Sequence, residues 1–111
     1  MKVIIKATQI ELNEALRMYT EKKIGSLEKF IKKIDATEKI EIFVEIGMVT
    51  KHHKSGNVFY AEATMRLQGK VLRAENTGSD LRAAIDIIKD TLRQSIQKHK
   101  ETVVEKKRTV L

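Results

Sequence analysis

The spacing of apolar positions changes period along the chain, and each change predicts an element. Residues 3–7 are short and β-branched, with Lys2 and Lys6 alternating against Val3 and Ile5, which predicts an opening strand. Asn13 then offers an N-cap, and Leu12, Leu16, Tyr19, Leu27, Phe30 and Ile34 recur at steps of three, four or their multiples. This spacing predicts a helix over 13–33. Gly25 inside it projects opposite Leu16 and costs about 1 kcal/mol relative to Ala. Over 38–49 the period becomes two: Ile40, Ile42, Val44, Ile46 and Met48 share one face, and Lys39, Glu41, Phe43 and Glu45 the other. That is a half-buried strand.

Residues 50–57 are polar and contain glycine, as a hairpin connection requires. Phe59, Ala61, Ala63, Met65 and Leu67 then oppose Tyr60, Glu62, Thr64 and Arg66 in a further strand. Gln68-Gly69-Lys70 reverses the chain into a fourth strand over 71–77, with Leu72 and Ala74 inward. Ser79 or Asp80 caps a last helix, whose apolar row runs through Leu81, Ile85, Ile88, Leu92, Ile96 and His99 toward Val103. The order β-α-β-β-β-α predicts an α+β fold: a four-stranded, antiparallel-dominated sheet with two helices packed on one face and the other face polar. A chain of 111 residues builds one core. We divide it into a domain over 1–101 and a basic tail over 102–111, where the apolar pattern fades.

Charge narrows the function. The chain carries 22 Lys+Arg against 15 Asp+Glu, a net +7, with a pI near 9.7, so nucleic acid or an anionic membrane is the leading partner class. Without cysteine there is no disulfide, thiol nucleophile or Cys-ligated zinc. The opening apolar run is too short for a signal peptide and no stretch of 18 uncharged apolar residues occurs, so a cytoplasmic protein without a membrane partner is expected. Arg82, Lys89, Arg93 and Lys100 fall within roughly 20° of one line on a helix, and Lys22, Lys29 and Lys33 within about 40°.

Such rows either solvate the flanks of amphipathic helices or face an extended polyanion. The excess of cations favours phosphate, as does the isolation of Asp86, the one carboxylate within about 40° of the last-helix row. No helix-turn-helix, zinc finger or leucine zipper is present, which favours RNA over sequence-read DNA. Tyr19, Phe30 and Phe59 belong to apolar faces, and Phe43 and Tyr60 are out of register, a poor platform for stacking bases. Catalysis lacks a constellation: His52 and His53 are loop neighbours, His99 lies on an apolar row, and Gly69-Lys70-Val71 lacks P-loop spacing. No enzyme activity, metal, cofactor or small-molecule substrate is expected.

Ser79-Asp80-Leu81-Arg82-Ala83-Ala84-Ile85-Asp86, with Asp90, Leu92, Ile96 and Lys98-His99-Lys100, resembles the last helix of the ribosome hibernation-promoting factors and ribosome-associated inhibitors, the sigma-54 modulation family. Asn13-Glu14-Ala15-Leu16-Arg17 and Leu27-Glu28-Lys29-Phe30 are similar to its first helix, and the likeness covers about residues 2–100. A short form of that family is the closer match. The resemblance implies a double-stranded-RNA-binding-like fold that docks on the small ribosomal subunit, contacts its RNA in the messenger and transfer RNA channel, and silences translation in stressed or resting cells. Other ribosome-dimerising factors are implied as further partners. Lys23, Lys29, Lys98 and Lys100 stand where the family is usually basic, and with Lys22, Lys33, Arg82, Lys89 and Arg93 they form the candidate rRNA-binding set. Arg82 replaces the family's aromatic, and Thr91 and Gln94 replace a Lys and an Arg. The alternative is a protein-interaction module, a regulator of a sigma factor, using Phe43 and Tyr60.

Overall fold

Strand β1 (Lys2–Thr8) pairs in parallel with β2 (Glu41–Val49), β2 antiparallel with β3 (Val58–Leu67), and β3 antiparallel with β4 (Lys70–Gly78). The sheet order is therefore β1-β2-β3-β4. This computed structural model describes residues 1–49 and 56–109, with side chains through residue 104. Most of the connection expected over 50–57, including His52 and His53, lies outside the described residues. Parallel neighbours need a crossover, and α1 (Glu14–Gly25) with α2 (Glu28–Lys32) supplies it before α3 (Leu81–Thr109) ends the described chain. Between β3 and β4, Gln68 (φ 49°) and Gly69 (φ 81°) are both left-handed, as a tight two-residue hairpin demands.

The helix expected over 13–33 is instead two. Its start is as predicted, with Asn13 Oδ1 accepting the Leu16 N–H at 2.8 Å. The break follows Gly25: the Ser26 hydroxyl donates to the Lys23 carbonyl at 2.6 Å, and the Leu27 N–H bonds three residues back to Ile24 at 3.1 Å. That tightening to three-residue bonding ends the first helix just before the second begins. β2 begins at Glu41 rather than 38, because Asp35 Oδ1 accepts both the N–H (2.9 Å) and hydroxyl (2.6 Å) of Thr37 and holds a turn there. Asp80 caps α3, its Oδ1 accepting the Ala83 N–H at 3.2 Å. α3 also runs on to Thr109, beyond the point where apolar periodicity fades, through a segment rich in strong helix formers.

All three helices cover one face of the sheet. Ile24, Leu27 and Ile31 from α1, α2 and their junction meet Ile42, Val44, Ile46, Ala61, Ala63, Met65, Leu67, Leu72 and Ala74 from the strands, and Ile85, Ile88, Leu92 and Ile96 from α3. α3 lies over β3 and β4, and α1 against β1. The first helical stripe is thus centred on Ile24, Leu27 and Ile31, while Leu16, Tyr19, Phe30 and Ile34 are only partly buried at its edge. His99 is buried on the α3 row, its Nε2 2.9 Å from Gln68 Oε1. On the outer face of the sheet Phe43 stands exposed as its alternation predicts, and Val71 joins it, each 54% exposed.

Candidate nucleic-acid interface

Burial of Ile85, Ile88, Leu92 and Ile96 fixes how α3 is rotated on the sheet. The row Arg82, Lys89, Arg93 and Lys100 then emerges about 80° away from the buried line, on the side occupied by α1 and α2. Three clusters mark the seam.

At the first, the Arg82 guanidinium lies 4.9 Å and the Lys23 ammonium 5.5 Å from the centre of the Tyr19 ring. The Tyr19 hydroxyl donates to Asp86 Oδ1 at 2.7 Å, and Lys23 Nζ is 3.6 Å from the same oxygen. Cations from two helices therefore converge on one tyrosine–carboxylate pair. At the second, Lys89 Nζ contacts Asp90 Oδ1 at 3.0 Å. Hydrogen bonding and attraction from Lys89 hold the Asp90 carboxyl below the usual carboxylate range, with Arg93 and Lys23 adding to the effect. At the third, the Lys29 and Lys33 ammoniums stand 5.2 and 5.7 Å from the Phe30 ring. Phe30, Arg93, Gln94, Gln97, Lys98 and Glu101 line an open depression of about 530 Å³ shared by α2 and α3.

The fold thus brings Lys23, Lys29, Lys33, Arg82, Lys89 and Arg93 along one seam. Lys98 stands about 160° around α3 from the Arg82 row and joins them only at the rim of the depression beside Phe30. Lys22 is exposed in the last turn of α1, where the helix dipole favours cations, and Lys100 is partly buried at the far end of its row. The acids in the seam do not cancel it: the Lys23–Asp86 and Lys89–Asp90 pairs are solvent-accessible, and such pairs hold weakly enough, about 0–1 kcal/mol, for a phosphate to exchange in. The Tyr19–Asp86 contact escapes a reading of the sequence because 67 positions separate its partners. Phe30 is different, since Lys29 and Lys33 bracket it locally.

The two faces of the molecule differ in charge. On the outer sheet face Lys2, Lys6, Arg66 and Arg73 balance Glu41, Glu45, Glu62 and Glu75, with Arg73 bonded to Glu62 at 3.0 Å and Glu75 at 3.1 Å. On the helical layer Arg17, Lys22, Lys23, Lys29, Lys32 and Lys33 outnumber Glu14, Glu21 and Glu28, and on α3 Arg82, Lys89, Arg93, Lys98 and Lys100 outnumber Asp86, Asp90 and Glu101.

Known proteins resemble the chain in sequence and in fold. The chain is 32% identical over 106 residues to a ribosome hibernation promoting factor of Azotobacter vinelandii, covering 96% of this chain and 89% of that one. It is 29% identical over 111 residues to a ribosome hibernation promotion factor of Lactococcus lactis (100% of this chain, 56% of the relative) and 30% identical over 105 residues to one of Staphylococcus aureus (94% and 50%). It spans about half the length of the latter two. Among solved structures, the N-terminal domain of Thermus thermophilus Protein Y superposes with a TM-score of 0.69 at 25% identity, covering 89% of this chain and 99% of that domain. A ribosomal subunit interface protein from Coxiella burnetii shares the fold, with a TM-score of 0.69 at 19% identity over 91% of this chain and 99% of its own. The sequence profile described as Sigma 54 modulation protein / S30EA ribosomal protein matches residues 3–104. With its fold, its basic helical seam and this match over nearly its whole length, the chain belongs to the Sigma 54 modulation / S30EA ribosomal protein family.

Proposed function

We propose that this protein is a non-enzymatic ribosome hibernation factor that docks its helical layer on RNA of the small ribosomal subunit, in the messenger and transfer RNA channel, and silences translation in stressed or stationary-phase cells. One observation carries this reading: cations from α1, α2 and α3 share a single seam while the outer sheet face is charge-balanced. Phosphates that meet that seam release counterions and bind without any base being read. The hibernation names of the relatives support the same reading. The binding unit is residues 1–101, with the 102–111 segment adding basic charge, and the site of action is the cytoplasm, where ribosomes are. Among the described residues no helix is long and apolar enough to cross a membrane.

Regulation of a sigma factor through Phe43 and Tyr60 is the weaker reading. Phe43 pairs with Thr64, four positions from Tyr60, and the Tyr60 hydroxyl is bound to Glu45 at 2.6 Å, so the two rings do not make one patch.

Co-sedimentation with isolated small subunits at rising salt tests the proposal. The logarithm of the binding constant should fall linearly with the logarithm of salt. Replacing Lys89→Glu and Arg93→Glu together should weaken binding strongly and flatten the slope by about 0.7–0.9 for each phosphate no longer neutralised. Binding indifferent to this double substitution would remove the seam as the contact surface.

A further inference from the structure

Phe30 lies at the edge of its helix's buried stripe, and its setting is more elaborate than phosphate binding needs. A surface that reads only backbone requires cations. Here an aromatic ring and two primary amides stand among the cations: Phe30 has the Lys29 and Lys33 ammoniums at 5.2 and 5.7 Å from its ring centre, and lines a depression with Arg93, Gln94, Gln97, Lys98 and Glu101. We propose that this depression receives one unstacked nucleobase carrying an exocyclic amine, seated against Phe30.

This assignment rests on the ribosomal RNA reading and deepens it. Aromatic rings accept any base by stacking, and the surrounding cations suit the phosphates on either side of an extruded nucleotide. Direction comes from the polar wall. Gln94 and Gln97 each offer a donor and an acceptor, whereas the Glu101 carboxylate only accepts, which selects a base edge bearing N–H groups. Gln97 Nε2 donates to Glu101 Oε1 at 3.4 Å, a long bond that a base amine can replace. The volume, about 530 Å³, lies within the ordinary range of small-ligand sites, about 300–1,000 Å³.

The test uses the full chain and Phe30→Leu, with Phe30→Tyr as a rescue that restores the ring and thermal melting to confirm folding. Stacking releases no counterions, so Phe30→Leu should lower affinity for small subunits about tenfold at every salt concentration with the slope unchanged, and Phe30→Tyr should bind as the parent does. A single-stranded RNA hexamer with a central 2-aminopurine provides a readout independent of the ribosome. Its fluorescence should be quenched by the parent and by Phe30→Tyr but not by Phe30→Leu. Parent-like binding and quenching by Phe30→Leu would overturn the base site while leaving the ribosome reading intact. Absence of small-subunit binding by the parent, with ring-dependent quenching retained, would instead sink the ribosome reading and keep the base site. Adenosine 5′-monophosphate binding as tightly as the hexamer would overturn the assignment to RNA in favour of a free nucleotide.

Discussion

Asp86 sits where charge counting alone would call a carboxylate out of place, in the middle of a row of cations. Its contacts give it a different role: it accepts the Tyr19 hydroxyl at 2.7 Å, and Lys23 and Arg82 gather at that same ring. The Tyr19 hydroxyl is pushed up to about 12 from its ordinary 10.0, first by the hydrogen bond it donates to Asp86, then by burial and the Asp86 charge, with Arg82 opposing. Because the folded value is raised, the stabilisation is fully present below pH 10.0 and is lost as pH rises through about 12, so it is constant around neutrality. In a Tyr60→Phe background, where Tyr19 is the only tyrosine, tyrosinate absorbance should titrate near 12, and Asp86→Ala should bring it toward 10.0. The same substitution should cost about 0.5–1.5 kcal/mol of stability through the missing hydrogen bond. On small subunits, Asp86→Ala should bind more weakly than the parent despite its extra positive charge; tighter binding would show that Asp86 only opposes phosphate. The cation rows are legible in the sequence, since a helix repeats at fixed angles, whereas this tyrosine–carboxylate contact exists only once α1 and α3 are packed.

At the scale of elements, strand alternation survives folding almost unchanged because each strand buries one face against helices: Ile42, Val44 and Ile46 lie inward and Phe43 outward, as their period of two requires. Helices are less legible at their ends. The Gly25–Ser26 break depends on a hydroxyl bonding back to Lys23, and the continuation of α3 to Thr109 depends on backbone propensity rather than on an apolar stripe. Nor does the sequence show which edge of the first helical stripe faces outward, because that depends on the neighbouring α3. Gly47, in the middle of β2, is a further feature hidden from pattern reading. A Cβ there would stand 2.5 Å from the Thr8 carbonyl oxygen, 2.7 Å from the Tyr60 hydroxyl and 2.8 Å from the Tyr60 ring. Neither neighbour yields cheaply, one being backbone of the parallel partner strand and the other a ring whose hydroxyl is fixed on Glu45. Gly47→Ala should therefore destabilise the protein by about 1–3 kcal/mol, read as a Tm lower by roughly 4–8 °C for each kcal/mol. A Tm within a degree of the parent would show that β1 and β2 are not packed this closely.

The whole molecule is a slab with one basic face, and this asymmetry decides what net charge cannot. A net +7 would draw any orientation of the chain toward a polyanion, so weaker binding on removing cations does not by itself locate the interface. Position does. Lys2 and Arg66 lie exposed on the outer sheet face, and Lys89 and Arg93 lie on the helical seam. Lys2→Gln with Arg66→Gln and Lys89→Gln with Arg93→Gln each remove two formal charges, so long-range attraction falls equally in the two variants. If contact is made through the helical layer, the sheet-face variant loses only that screened component, which decays over about 10 Å at 0.1 M salt. It should therefore keep the parent's salt slope and most of its affinity for small subunits. The seam variant should bind weaker by an order of magnitude or more near physiological salt, with its slope reduced by about 0.7–0.9 for each phosphate left without its cation. Equal weakening in the two variants would mean that the chain is held by its net charge and that the arrangement of helices on one side of the sheet has no part in binding.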